Sequence, residues 1–145
     1  MEVSEAEYQA LAEIRFRIRR FLNFSEASAR AVGLEPQQHQ LLLAVRGLPH
    51  DAAPTVKRIA ERLQVQHNSA VELVRRSVEN GLVSKRPNTE DRREVLLAIT
   101  PKGERVLAKL ALAHRTELRS MAPTLLDAVE TLLGDRPSRR RKETA

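Results

Sequence analysis

The chain has 145 residues, 25 Lys and Arg against 19 Asp and Glu for a net charge of +6, and no Cys or Trp. That length suits one domain with a real core, and with three Phe and one Tyr the core must be mostly Leu, Ile, Val and Ala, as in a helical protein. The missing Cys excludes disulfides, thiolate metal sites and cysteine-based peroxide sensing. No apolar run approaches the ~20 residues of a membrane span, and the polar, acidic start MEVSEAEYQ is unlike a signal peptide. No membrane partner is therefore expected, and a cytoplasmic location is.

The first helical pattern covers residues 5–32, with Tyr8, Leu11, Ile14, Ile18, Phe21, Leu22 and Ala29 at three- and four-residue steps. Phe16 and Phe24 lie off that stripe, so the helix offers apolar surface on more than one side, which suggests pairing with another subunit. The run Arg15, Arg17, Arg19 and Arg20 reads first as a solvated face, and second as a surface for an acidic ligand or partner. Gly33 ends this helix. Pro36 starts the next in its first turn, with Glu35 near the positive helix end. Its buried side is expected to hold His39, Leu42, Leu43 and part of Val45-Arg46. Residues 50–54 are a loop rich in breakers.

A third helix, 55–63, places Val56, Ile59, Ala60 and Leu63 on one face with Thr55 as N-cap. Gln64-Val65-Gln66 forms a turn. A fourth helix runs over about 67–80, with Ala70, Val71, Val74 and Val78 expected inside and Gly81 as a left-handed stop. Two helices joined by so short a turn make a helix-turn-helix pattern. The β-rich runs 82–86 and 95–99 then flank a charged tip, Pro87 to Glu94, and predict a hairpin wing. Thr100-Pro101 opens the last long helix, with Thr as cap and Pro at the first helical position. Along it Leu107, Leu110, Ala111, His114, Leu118, Met121 and Leu125 recur in near-heptad steps. Pro123 is expected to break or kink it near Met121-Ala122, leaving a short amphipathic helix that ends at Gly134. The charged segment 135–145 is expected to be a disordered tail. It carries five basic side chains against two acidic ones, half of the net charge. The rest of the chain is only mildly basic, so the position of charge matters more than its sum.

An IAERL-type helix, the VELVRR helix, NGLV, Asp91-Arg92-Arg93 and the strand exit Leu97-Ala98-Ile99-Thr100-Pro101-Lys102-Gly103 together resemble the MarR family of winged helix-turn-helix transcriptional regulators. The motifs span roughly residues 34–110. Two features depart from the family pattern. Ser77 stands where the family usually has Leu, and Gln66-His67-Asn68 replaces a Ser-Pro-Ser opening. The resemblance implies a mainly α fold, a single MarR-like domain over 1–145. A winged helix-turn-helix lobe with a two-stranded wing would occupy 36–100, and residues 5–32 and 101–134 would form the dimerisation helices. It also implies a homodimer on double-stranded DNA, at an inverted-repeat operator.

The candidate site residues follow from where such a lobe meets DNA. The N-terminal part of a recognition helix reads base edges in the major groove, which assigns Gln66, His67, Asn68, Ser69, Glu72, Arg75 and Arg76 to DNA. Asn or Gln can pair bidentately with adenine, and a carboxylate can accept from cytosine. Glu72 can equally orient Arg75 or Arg76, and the arginines suit phosphate or guanine. In the wing, Arg92 or Arg93 suits the negative potential of the minor groove, with Asp91 holding an arginine in place. Lys57, Arg58, Lys85 and Arg86 are candidate phosphate contacts, as is Lys102.

A small-molecule effector that releases a repressor is the control the resemblance implies. Ile14, Ile18, His39, Leu43 and His114 are candidate lining positions, although His39 and His114 read first as hydrogen-bonded interior histidines. The four histidines lack metal-ligand spacing, no nucleophile elbow or Gly-rich phosphate loop is present, and neither an enzyme nor a cofactor is expected. Two other readings stay open: a winged-helix module that binds protein, and a ligand-independent DNA architectural protein aided by its basic tail.

Overall fold

The computed structural model describes residues 1–134. Five helices and one hairpin follow in the order α1 (Glu5–Ala31), α2 (Pro36–Arg46), α3 (Val56–Leu63), α4 (His67–Glu79), β1 (Val83–Pro87), β2 (Val95–Ile99) and α5 (Pro101–Leu133). The chain divides into two compact units, and the division falls inside the two long helices. Residues 25–113 form one unit; the other combines Met1–Phe24 with the segment from His114 onward. The last turns of α1 and the first turns of α5 belong with the winged lobe because Ala29, Leu107 and Leu110 lie in its core.

The winged unit packs α2, α3, α4 and the hairpin around Leu41, Leu42, Ile59, Leu73, Val74, Leu82 and Leu97, all buried. The hairpin is antiparallel, with Val83 opposite Ile99 and Pro87 opposite Val95. Its first strand starts one residue later than expected because Leu82 closes the end of α4 instead. The Leu82 N–H donates to the Ser77 carbonyl at 2.9 Å, and the Leu82 carbonyl accepts from the Thr100 N–H at 3.1 Å. Gly81 sits just past α4 at φ +70, a backbone conformation that favours glycine. Thr100 fastens the exit of β2, its hydroxyl donating to the Gly81 carbonyl at 2.5 Å and accepting from the Gly103 N–H at 3.1 Å.

Three sequence expectations about the helices change, two of them over which face is buried. In α4 the buried stripe is Ala70, Leu73, Val74 and Ser77, while Val71 and Val78 are exposed. The stripe keeps perfect i, i+3, i+4, i+7 spacing, but a polar residue completes it, so a search for aliphatic residues picks a rotated face. Ser77 meets no hydrogen-bonding deficit there, since its hydroxyl donates to the Leu73 carbonyl at 2.8 Å. In α2 the buried residues are Gln38, His39, Leu41 and Leu42, and Leu43 is exposed. Gln38 faces inward because its Oε1 accepts from the Glu35 N–H at 3.1 Å, closing the helix start. Finally, α5 runs through Pro123 without a break. Proline removes one helix hydrogen bond, and here both Pro123 and Arg119, whose carbonyl loses its partner, are exposed. Water can take the freed carbonyl.

In the second unit, His114 of α5 meets the edges of Phe21 and Phe24 of α1, with ring centroids 5.7 and 5.3 Å apart. Ala10, Met121 and Ala128 are buried, whereas Leu11, Phe16, Ile18, Leu22, Leu118 and Leu126 are exposed. The arginine run is partly engaged on its own helix. Arg17 pairs with Glu13 at 2.7 Å, and the Arg17 and Arg20 guanidinium groups lie 5.5 and 5.8 Å from the Phe16 ring centre. The expected basic tail, 135–145, lies outside the described residues. No described helix is long and apolar enough to cross a membrane.

Candidate nucleic-acid interface

Helix α3 sets the angle at which α4 leaves the core. The Thr55 hydroxyl accepts from the Arg58 N–H at 3.1 Å, an N-cap bond that fixes the first turn. At the other end Gln64 takes a left-handed conformation, φ 56, and reverses the chain within one residue. Gln66 follows in extended geometry, and its side chain makes no capping bond. Its amide therefore stays available beside the exposed His67, Asn68 and Ser69.

Opposite the buried stripe of α4 runs an exposed one at steps of four, three and four: Asn68, Glu72, Arg75 and Glu79. Arg75 is engaged from both sides. Its Nε and Nη2 donate to the Glu72 carboxylate at 3.0–3.3 Å, and its Nη1 donates to Glu79 at 2.6 Å. The hydrogen bond from Arg75, and then its charge, holds the Glu72 carboxyl below its usual value. The same contacts raise Arg75, chiefly the hydrogen bond with Glu72. Arg76 turns away from this stripe and pairs with Glu35 at the start of α2, at 3.0 Å. The two arginines that sequence treats alike thus differ in role: Arg75 belongs to the exposed stripe, and Arg76 ties α4 to α2.

The wing tip is closed by a backbone bond and by side chains that bind its own backbone. The Asn88 N–H donates to the Glu94 carbonyl at 3.2 Å, and the Asn88 Oδ1 accepts from the Glu90 N–H at 3.0 Å. Asp91 accepts from the Arg93 N–H at 3.0 Å and from its Nε at 3.2 Å, so one carboxylate fixes both the turn and the guanidinium. Asp91 holds Arg93; Arg92 is exposed and has no ion pair among the described residues. Sequence reading also missed a second fastening of the wing. Thr55 bridges to Leu96, and the Leu97 N–H donates to the Pro54 carbonyl at 2.9 Å. The start of α3 therefore lies on the edge of β2.

That fastening creates a cleft of about 260 Å³ between α3, α4 and the wing. Val56, Val71, Val74 and Val95 give it an apolar lining, and Lys57, His67, Lys85 and Arg93 add cationic and imidazole groups, with Glu94 among them. Four residues assigned to DNA from three separate stretches of sequence thus share one cleft. Arg86 is exposed on β1 nearby in sequence. Arg58 and Lys102 are committed to structure: Arg58 Nη1 donates to the Ala53 carbonyl and Lys102 Nζ to the Asn80 carbonyl, each at 2.8 Å.

The candidate effector positions divide between the units. Ile14, Ile18 and His114 belong to one; His39, which is buried, and Leu43, which is exposed, belong to the other. Among the described residues no group of three His, Asp or Glu side chains is placed to hold a metal ion.

Comparison with known proteins bears on the family and the fold. A profile of the MarR family matches residues 32–94, from the end of α1 to the wing tip. The fold is similar to that of AbsC, a MarR family transcriptional regulator from Streptomyces coelicolor, at 18% identity over 92% of this chain and 93% of that one, with a TM-score of 0.71. It is also similar to a mutant MarR from E. coli complexed with operator DNA, at 19% identity over 83% and 87% of the two chains and a TM-score of 0.65. An S. aureus MepR–DNA complex matches at 14% identity over 86% of each chain, with a TM-score of 0.66. No curated protein matches by sequence. Residues 32–94 are thus MarR-like in sequence, and the chain that carries them has the winged-helix fold of MarR family transcription regulators.

Proposed function

We propose that this protein is a sequence-specific DNA-binding transcriptional regulator, a homodimer on an inverted-repeat operator rather than an enzyme. The observation that carries the reading is the shared cleft, which brings Lys57, His67, Lys85 and Arg93 together between recognition helix and wing. In this reading Gln66, His67, Asn68 and Ser69 lie against base edges in the major groove, and Lys57, Lys85 and Arg86 meet phosphates. Arg93 is the wing arginine assigned to the minor groove, because Asp91 already fixes its direction and less side-chain freedom is lost on binding. Arg92 is left for phosphate. Exposed apolar side chains on α1 and α5 supply the surface for pairing, and a dimer places its two recognition helices about 34–36 Å apart on one face of DNA. Repression relieved by a small-molecule effector is the form of control that the family resemblance implies.

The test is binding of the purified protein to DNA from its own gene neighbourhood and to random DNA, over a range of salt. A two-fold symmetric footprint well above the salt-steep non-specific background supports the regulator. Addition of candidate ligands to that complex then tests effector release. Weak binding that is equal on every fragment and vanishes with modest salt overturns the reading. Binding to a protein partner that survives replacement of Arg92 and Arg93 by Ala would favour an interaction module instead.

A further inference from the structure

Arg75 looks at first like an anchor for phosphate, since it lies on the exposed face of the recognition helix. Its surroundings argue otherwise. One guanidinium is shared by two carboxylates, Glu72 on one side and Glu79 on the other, so the group as a whole carries a negative charge. Such a group repels phosphate, and the Nε, Nη1 and Nη2 of Arg75 are each already donating to a carboxylate. What it presents outward is the acceptor capacity of Glu72, one turn beyond Asn68 on the stripe opposite the helix's buried face. An ionised carboxylate accepts hydrogen bonds and donates none. In the major groove that suits the amino group of cytosine, while the N7 and O6 acceptors of guanine and the O4 acceptor of thymine would face it as like poles, and adenine sets its N7 acceptor beside its amino group.

We propose that Glu72 is a specificity-determining residue that reads the N4 amino group of a cytosine in each half-site, and that Arg75 is the positioning residue that holds its carboxylate. This rests on the DNA-binding reading above and deepens it. The bidentate fork of Arg75 fixes the Glu72 carboxylate before DNA arrives, and partly offsets its repulsion from the phosphates on either side of the groove. Glu79, at the last residue of α4, steadies Arg75 from the far side and touches no base.

The test is selection of binding sites from a randomised DNA pool, followed by affinities for half-sites that vary at single base pairs. Wild-type protein is expected to prefer cytosine over the other bases at one position by about five- to one-hundredfold. Glu72→Gln, whose amide both donates and accepts, should lose most of that preference and leave the other positions unchanged. Glu79→Gln should retain it, and Arg75→Ala should weaken it at the same position only. If the wild-type protein is selective and Glu72→Gln keeps the same preferred bases, binding every fragment more tightly by one common factor, then the carboxylate acts only as a charge and the proposal falls. A guanine preference that is sharpened by Glu72→Gln also overturns it, with Arg75 as the reader. A wild-type protein without any preferred sequence would instead overturn the regulator reading itself.

Discussion

Ser77 shows how one residue is decided by its surroundings. The family pattern has Leu there, yet the site in this chain is fully buried around a serine that satisfies its own hydroxyl on the Leu73 carbonyl. Ser77→Leu should overfill the site and destabilise the fold by about 1–3 kcal/mol. Ser77→Ala gives up one hydrogen bond, worth about 0.5–1.5 kcal/mol, and should cost at the low end of that range because this bond competes with the helix's own. Urea unfolding of the two variants checks the order. Gly103 is constrained from the other direction. A Cβ there would collide with the Leu82 carbonyl oxygen and come within 2.7 Å of Ile99 Cγ2. Ala is the better helix former by about 1 kcal/mol, but the backbone oxygen it would strike is held by the Thr100 N–H and cannot easily move. Gly103→Ala should therefore be net destabilising, by about 1–3 kcal/mol, seen as a lower unfolding midpoint.

At the scale of elements, the wing is an arm whose direction is set twice, at its tip by Asp91 and at its base by Thr55 and Pro54. The Asp91–Arg93 pair is largely exposed on the arginine side, so it adds little to folding. Its expected effect is on binding. Arg93→Ala should weaken binding to the selected operator and lower the slope of log affinity against log salt by about one. Asp91→Asn keeps the positive charge and loses only the carboxylate that aims it, so affinity should fall less and the slope should not decrease. Titrations at four or five salt concentrations separate the two variants. Equal slopes for Arg93→Ala and wild type would remove Arg93 from the DNA.

For the whole molecule, the long terminal helices leave Leu11, Ile18, Leu22, Leu118 and Leu126 facing outward in a single chain. Apolar surface of that extent on two helices has a reason if a second copy covers it. Leu118→Glu should shift the protein from dimer to monomer in sedimentation equilibrium and lower operator affinity at the same time, since one lobe holds only a half-site. A wild-type protein that is monomeric at micromolar concentration would overturn this.

Most of the element order was legible in the sequence because its signals are local. Thr55 and the Thr100-Pro101 pair start helices, Gly81 stops one, and the β-rich runs on either side of a charged tip form a hairpin. The motif residues also lie mostly within residues 32–94, which the family profile matches, since caps, turns and wing charges act over a few residues of chain. Only the tertiary structure decided which side of α4 lies inward, because Ser77 is as acceptable in water as in a core until its neighbours are known. The same holds for Arg75 and Arg76, adjacent in sequence but sent by helix geometry to different carboxylates. It also holds for Pro123, where exposure allows the helix to continue, and for the fastening of Thr55 to Leu96, which joins positions 41 residues apart. Local chemistry chose the elements. Burial, and contacts between distant segments, chose their faces and with them the candidate site.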